Sequence, residues 1–544
     1  MKDKVVIALK NALSELKFPL NNVIIQNTKH PKHGDFSTNI AMILAGKLKK
    51  TPNYIANLII KKLLYLNSNK LFIDIFKAGP GFINFKLNKE LFHNEIIDIL
   101  KTSSDFGKSK FGSGKSANVE FVSANPTGPL TVGHGRGAMI GDTIANILEW
   151  NGYKVHREYY FNNAGRQMRV LGESVYQRYL EACGQQTNFN EDYYQGEYIK
   201  NIANTIKIES GELLTKSKDI NYFKNKAEEF IFENIKQSLA KLGLIFDNFY
   251  NEQDLYNTGK IQEILDSLEK NKLLYHKDNA IWFKGSEIGR DVDKVLVKNT
   301  GEPTYRLPDM AYHKTKFDRG FDLCIDVFGA DHIDTYPDVL AVIDNIGYNS
   351  EQIKVLIHQF VTIMKDNEQV KMSTRKANFV TLDELIEEVG PDVVRYFFIM
   401  RGMSTHLNFD LNLAKDQSDN NPVFYLQYAH ARMVNIISRA EEFGNLINLN
   451  ADLSLLEKDE EQQLINQLLQ FPDLIIKSCH LLEPQNIVNY LQELASKFHK
   501  YYAHHKVISD DRNLTEARLI LIKALQIGLR NGLAIIGISA PNKM

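Results

Sequence analysis

Residues 118–142, Asn-Val-Glu-Phe-Val-Ser-Ala-Asn-Pro-Thr-Gly-Pro-Leu-Thr-Val-Gly-His-Gly-Arg-Gly-Ala-Met-Ile-Gly-Asp, constrain this chain more than any other stretch. The apolar run Val119 to Val122 predicts a buried strand, and Asn125 to Pro129 a turn. Gly133-His134-Gly135-Arg136-Gly137 then opens a helical pattern reaching Trp150. A strand, a glycine-rich turn and a helix start make a phosphate site. The first N–H groups of a helix lack partners inside it, and its dipole favours an anion there. Glycines let a ligand approach the backbone; Gly133, Gly135 and Gly137 are the candidates, although the same residues also suit tight helix packing.

A chain of 544 residues exceeds what one core organises and predicts several domains. Its net charge of −1 gives no overall preference for a polyanion. Residues 1–100, however, hold 15 lysines, no arginine and 7 acidic residues, a local basic excess that fits contact with nucleic acid or, more blandly, a solvated lysine face. Cys183, Cys324 and Cys479 are far apart and odd in number, which excludes a metal-ligand spacing and suits a reducing compartment. No apolar run has membrane-spanning length, and the N-terminal amphipathic helix (Val5, Val6, Leu9, Leu13, Leu16) is unlike a secretory signal. A cytoplasmic location is expected.

Residues 1–105 read as a small α+β domain. Thr51 caps a helix with Pro52 at its first position, and Phe72 to Ile75 and Phe82 to Phe85 are strands around Gly79-Pro80-Gly81. Residues 106–117 read as a linker. A doubly wound, Rossmann-like parallel-sheet domain is expected over 118–400, with Lys154 to Phe161 as its next strand. The polar stretch 185–300 reads as a mainly helical insertion, in which Ala280 to Phe283 and Lys294 to Val297 pair as a small antiparallel sheet. Residues 401–420 connect to a helix bundle over 421–544.

Gly133-x-Gly135-x-x-Ala138 loosely fits a dinucleotide fingerprint, and Glu158, 20 residues beyond Ala138, stands where a ribose-binding acid would. Two features oppose that reading: the connection from Ala124 to Val132 is longer than the tight turn the fingerprint needs, and a second motif lies far downstream. Val370-Lys371-Met372-Ser373-Thr374-Arg375-Lys376 is a cationic segment followed by a capping box, Thr381 with Glu384. Such a loop can close over a triphosphate and stabilise the charge moving to a leaving pyrophosphate.

Taken together, the two motifs resemble those of the class I aminoacyl-tRNA synthetases, and the chain resembles arginyl-tRNA synthetases over nearly its full length. The resemblance rests on Phe121-Val-Ser-Ala-Asn-Pro-Thr-Gly-Pro, Asn162-Asn-Ala-Gly-Arg-Gln, Thr304-Tyr-Arg-Leu-Pro-Asp-Met-Ala-Tyr-His, Phe328-Gly-Ala-Asp-His, Gln427-Tyr-Ala-His-Ala-Arg, Gly537-Ile-Ser-Ala-Pro and the leading Gly34-Asp-Phe-Ser-Thr-Asn. It implies activation of L-arginine by ATP, with Mg²⁺ as counter-ion and no tightly bound metal. Transfer of arginine to the terminal adenosine of its tRNA follows. It also implies a monomer, a basic N-terminal domain on the tRNA elbow, and an anticodon-binding bundle. A dinucleotide-dependent oxidoreductase and an inactive tRNA-binding relative are the alternatives.

By the same resemblance His134 and Lys371 are catalytic, and Met372, Ser373, Gly329, Asp331 and His332 contact ATP. Glu120, Tyr305 and Asp309 would hold the guanidinium, which needs carboxylates, preferably two-pronged, and Asn125 the α-amino end. Read alone, Glu120 is as well the partner of a nearby base and Asp309 a helix cap. Two departures stand out. Thr131 replaces the first signature histidine; its hydroxyl can cap a helix but carries no charge, a loss of about 1–3 kcal/mol if the imidazole faced phosphate. Thr374 replaces the second signature lysine, with Arg375 or Lys376 as substitutes. In the bundle, Tyr428, His430 and Arg432 on one helix and Phe498, Tyr501 and Tyr502 on another suit stacking on unpaired bases, or core packing. Tyr501 and Tyr502 are adjacent, so one of them must face outward.

Overall fold

The computed structural model describes residues 2–19, 23–28, 31–67, 70–217, 219–370 and 380–544. Two compact units emerge. One comprises 1–106, 432–471 and 496–528, the other 107–431, 472–495 and 529–544.

In the first unit a four-stranded antiparallel sheet has the order Gln26–Asn27, Phe36–Thr38, Phe82–Leu87, Phe72–Ala78. The two predicted strands around Gly79-Pro80-Gly81 pair directly. Thr51 caps the helix Pro52–Leu66, its hydroxyl accepting from the Tyr54 N–H, and that helix buries Ile55, Ile59 and Leu63. The amphipathic N-terminal segment is the helix Lys2–Glu15.

The second unit is built on a parallel sheet of β1 (Ser116–Glu120), β2 (Lys154–Phe161), β3 (Asn248–Asn251), β4 (Leu323–Gly329) and β5 (Ile353–His358). Their spatial order is β5-β4-β1-β2-β3. The order reverses between β1 and β4, which opens a crevice at the carboxyl ends of those two strands, the usual ligand position in such sheets. Helix α1 (Val132–Trp150) returns the chain from β1 to β2. It buries Ala138, Met139, Ile140, Ile144, Ala145, Ile147 and Leu148, apolar on nearly every side as a wholly enclosed helix must be. The residues read as a linker are docked rather than loose: Ser109 and Gly112 donate backbone N–H groups to Trp150 and Asn151 at the end of α1.

The stretch 185–300 is not wholly an insertion. Its residues Asn248–Asn251 are β3, paired in parallel with β2. Four half-buried residues after a long polar helix carry too short an apolar run to be distinguished from a loop by pattern. The small antiparallel sheet is present, with Leu274–Lys277, Ala280–Phe283 and Lys294–Val297 as its strands. It contributes Phe283 and Leu296 to a core shared with helix α2 (Arg306–Asp318) and β4, where Leu307, Met310 and Cys324 are fully enclosed. Each large side chain buried there stabilises the fold by about 1.5–3 kcal/mol relative to exposure.

Candidate active site

The start of α1 meets the segment that follows the second signature, although more than two hundred residues separate them. Thr131 bridges Thr381, and the Leu382 N–H donates to the Leu130 carbonyl at 2.8 Å. Thr381 forms the predicted capping box with Glu384. Lys371, Met372, Ser373, Thr374, Arg375 and Lys376 lie outside the described residues.

Thr131 is the N-cap of α1. Its backbone N–H donates to His134 Nδ1 at 3.1 Å. A neutral imidazole accepting at Nδ1 carries its proton on Nε2, where it can be donated. Burial, with His358 nearby, pushes the His134 pKa down to about 4, so the ring is neutral at physiological pH. The backbone N–H at position 131 therefore sets the tautomer of His134, with the Thr131 hydroxyl 3.3 Å from the same nitrogen.

The three candidate glycines at the start of α1 divide by role. A Cβ on Gly133 would meet only Thr131 Oγ1, at 3.6 Å, so this position is open to a ligand. One on Gly135 would lie 2.7 Å from Leu382 Cδ1 and 3.0 Å from Phe398 Cε2, and one on Gly137 3.0 Å from His358 Nε2. Gly135 is thus explained by packing of the segment after the second signature against α1. Gly137 abuts an imidazole at the end of β5.

Gly329 ends β4, followed by exposed Asp331 and His332, whose ring stacks on Phe328. Asp331 also bears electrostatically on His134 and His358, which places this loop beside the start of α1.

Glu120, at the end of β1, is only 2% exposed. Its carboxylate takes the Lys316 ammonium at 2.6 Å and the Ser123 hydroxyl at 2.9 Å. Lys316, wholly buried, also pairs with Asp326, which in turn holds His313. Glu120 is therefore already paired with Lys316. The intervening Val122 and Ser123 have φ of 69° and 44°. This left-handed backbone is costly for a β-branched residue.

Asp309 lies one turn into α2, past the N-cap Tyr305, so it is not the cap. No hydrogen bond reaches its carboxylate from the described residues. Burial pushes its pKa up to about 7; His313 opposes this, while Glu120 and Glu252 add to it. Glu252 directly follows β3 and accepts from the Tyr160 hydroxyl at 2.8 Å and from Asn162 Nδ2 at 2.6 Å. Glu120, Glu252 and Asp309 all act on the Tyr160 hydroxyl, raising its pKa after burial itself. The carboxyl groups of Glu120, Glu252 and Asp309 thus lie close together around Tyr160. Glu252 escaped the sequence reading because β3 did; an acid at the carboxyl end of a sheet strand was the available signal. Tyr305, 77% exposed, stands at the open side. Asn125 is exposed on the turn after β1, donating to Gln167 at 3.2 Å and accepting from the Asn162 N–H at 3.0 Å.

Glu158 cannot serve as a ribose-binding acid. It is buried and held by both terminal nitrogens of Arg319, by the Tyr312 hydroxyl and by Asn248. These pairs hold its carboxyl well below the usual range despite burial, which works the other way.

Among the helical aromatics, Phe498 and Tyr501 are fully buried in the first unit, Tyr501 with its hydroxyl on Glu461 at 3.2 Å. His430, in the second unit, is buried with Nδ1 2.9 Å from the Pro541 carbonyl. Their assignment to base stacking is corrected: apolar contact at helical spacing has taken them into the core. Tyr502 is the outward member of its pair, and the Arg432 guanidinium lies 4.9 Å from its ring centre. Tyr428 is half-buried. Among the described residues no group of three or more His, Cys, Asp or Glu side chains is placed to hold a metal ion, and no helix is long and apolar enough to cross a membrane.

A parallel sheet that reverses order beside a His-bearing helix start, with Thr381 and Leu382 paired to that start, defines the catalytic fold of a class I aminoacyl-tRNA synthetase. Family models match in three places: "tRNA synthetases class I (R), catalytic domain" over 95–395, "Arginyl tRNA synthetase N terminal domain" over 3–87, and "DALR anticodon binding domain" over 426–544. An arginine–tRNA ligase of Desulfotalea psychrophila is 49% identical over 523 residues, covering 96% of this chain and 94% of that protein. One of Chlorobaculum parvum is 48% identical, covering 96% of each. The solved Thermus thermophilus arginyl-tRNA synthetase, at 22% identity, shares the fold with a TM-score of 0.78 over the whole of both chains. The chain belongs to the arginyl-tRNA synthetase family.

Proposed function

We propose that the crevice of the second unit activates L-arginine with ATP and passes it to tRNA. The observation that carries this is Asp309, a carboxylate without a hydrogen-bond partner among the described residues, grouped with Glu252 and Glu120 at one end of a crevice whose other end is the start of α1. Asp309 takes the guanidinium, with Glu252 and Tyr305 beside it and Glu120 acting mainly as the anchor of Lys316. Asn125 holds the α-amino end. The arginine carboxylate then attacks the α-phosphate in line, and pyrophosphate leaves. No general base is needed, and positioning with charge stabilisation supplies the catalysis.

The Nε2–H of His134 and the backbone N–H groups near Gly133 face the phosphates, with Gly329, Asp331 and His332 along the nucleoside edge. Mg²⁺ arrives as the counter-ion of ATP. In the second step the terminal ribose hydroxyl of tRNA attacks the adenylate carbonyl, releasing AMP. For the tRNA we assign the N-terminal lysines to backbone contact, and Arg432, Tyr502 and Tyr428 to anticodon bases.

Arginine-dependent ATP–pyrophosphate exchange, run with and without tRNA, tests this reading. Exchange with another amino acid alone would sink the arginine assignment. Tight tRNA binding with no exchange under either condition would instead mark an inactive relative.

A further inference from the structure

Arg136 lies on α1 two residues past His134, and it is 0% exposed. Its Nη1 donates to the Gln359 carbonyl at 2.7 Å and its Nη2 to the Gly402 carbonyl at 3.1 Å. Its Nε is buried without a partner. No carboxylate pairs with it among the described residues. This is a costly place for a cation. Removing a charge from water without an opposite charge is unfavourable, and the first turns of a helix carry the positive end of its dipole. Backbone carbonyls satisfy two of its donors but cancel no charge.

The chain holds this cation where the phosphate-binding end of α1 faces the crevice, while the two signature positions that usually carry basic side chains are Thr131 and Thr374. Its field reaches the crevice. The half-exposed ring of His358, whose Nδ1 lies 3.3 Å from the same Gln359 carbonyl, has its pKa lowered by burial and further by Arg136. Burial lowers the guanidinium to about 10, so it stays charged at neutral pH.

We propose that Arg136 is a positioning residue for ATP. It is a buried fixed charge whose counter-ion is the incoming polyphosphate, and it offsets the neutral threonines of both signatures. Resting on the reading that ATP binds this crevice, the inference makes Arg136 act without touching the nucleotide. The fold carries the charge at a cost that the bound triphosphate offsets. The Gln359 bond also fixes the segment after β5, which leads towards the second signature, onto α1.

The test compares two ligands of equal shape at the nucleoside end. ATP and adenosine affinities are measured by calorimetry for the wild type, Arg136→Met and Arg136→Lys. In Arg136→Met the dissociation constant for ATP is expected to rise about 10- to 100-fold while that for adenosine changes less than about threefold, because only a charged ligand feels the lost field. Arg136→Lys, which keeps the charge and loses the two-pronged hydrogen bonding, is expected to retain the wild-type ratio of the two affinities within about fivefold while melting earlier.

Equal weakening of ATP and adenosine in Arg136→Met would make the residue merely structural and overturn the proposal. So would a ratio in Arg136→Lys that collapses as far as in Arg136→Met. If Arg136→Met does not fold, the neutral Arg136→Gln takes its place under the same criteria. A wild type that binds neither ligand refutes the ATP reading of the crevice, a result distinct from either failure of Arg136.

Discussion

At Asp309 a carboxyl is held up to about 7 because burial outweighs the help of His313, and Glu120 and Glu252 add to the shift. In an unfolded chain the same group titrates near 3.9. Between those values the unfolded state has lost the proton and the folded state keeps it. The free protein therefore loses stability from this group as pH rises from about 4 through 7. Bound arginine reverses that loss, since a guanidinium favours the ionised form. The expected outcome is that arginine affinity rises with pH through about 7, and that the rise in melting temperature on adding arginine is larger at pH 8 than at pH 6. Asp309→Asn should abolish that pH dependence and raise the KM for arginine by about a hundredfold or more, as removal of a charged partner does. At the phosphate end, Thr131→Ala leaves intact the N–H that fixes His134, so kcat should change less than about threefold. His134→Ala removes the donor itself and should cost about a hundredfold or more in single-turnover adenylate formation. If Thr131→Ala matched His134→Ala, the backbone would not be what orients the ring.

Among the elements, α1 and the segment after the second signature work as one piece, and Gly135 is where they touch. A methyl group there would lie 2.7 Å from Leu382 Cδ1 and 3.0 Å from the Phe398 ring. Gly135→Ala should lower stability by about 1–3 kcal/mol, as overpacking does, measurable by urea unfolding. The same substitution should slow adenylate formation more than it weakens adenosine binding, because it pushes the segment that follows the second signature away from α1. Strand–turn–helix at 118–150 was legible from an apolar run, a Pro-Gly turn and a helical period. The capping box at Thr381 and the small antiparallel sheet were legible for the same local reason. The strand Asn248–Asn251 was not, because four residues in a parallel sheet carry no alternation and too little apolar length. Missing that strand hid Glu252, the acid at its carboxyl end.

For the whole molecule, the basic excess of residues 1–100 predicts a contact that salt weakens. Lys49 and Lys50 are exposed at the end of the helix Ile40–Leu48. Replacing both with glutamate should raise the KM for tRNA several-fold and flatten its salt dependence, while kcat at saturating tRNA and the KM for arginine stay near wild type. A fall in kcat with unchanged KM for tRNA would remove the N-terminal region from tRNA binding.

The order of motifs, the substrate chemistry and most helices and strands were determined by the sequence by itself. Each rests on residues close along the chain, where period, capping and turn preference operate. Which carboxylate was left without a hydrogen-bonded cation was decided only by the tertiary structure. Glu120 and Lys316 are 196 residues apart and meet because β1 and α2 converge at the buried end of the crevice. A buried ammonium must be paired, so it takes the carboxylate the sheet places beside it and leaves Asp309 without a cation. Likewise helical spacing allowed Phe498, Tyr501 and Tyr502 to face either a core or a base. Burial, which depends on what packs across from each, put the first two inside and left Tyr502 with Arg432.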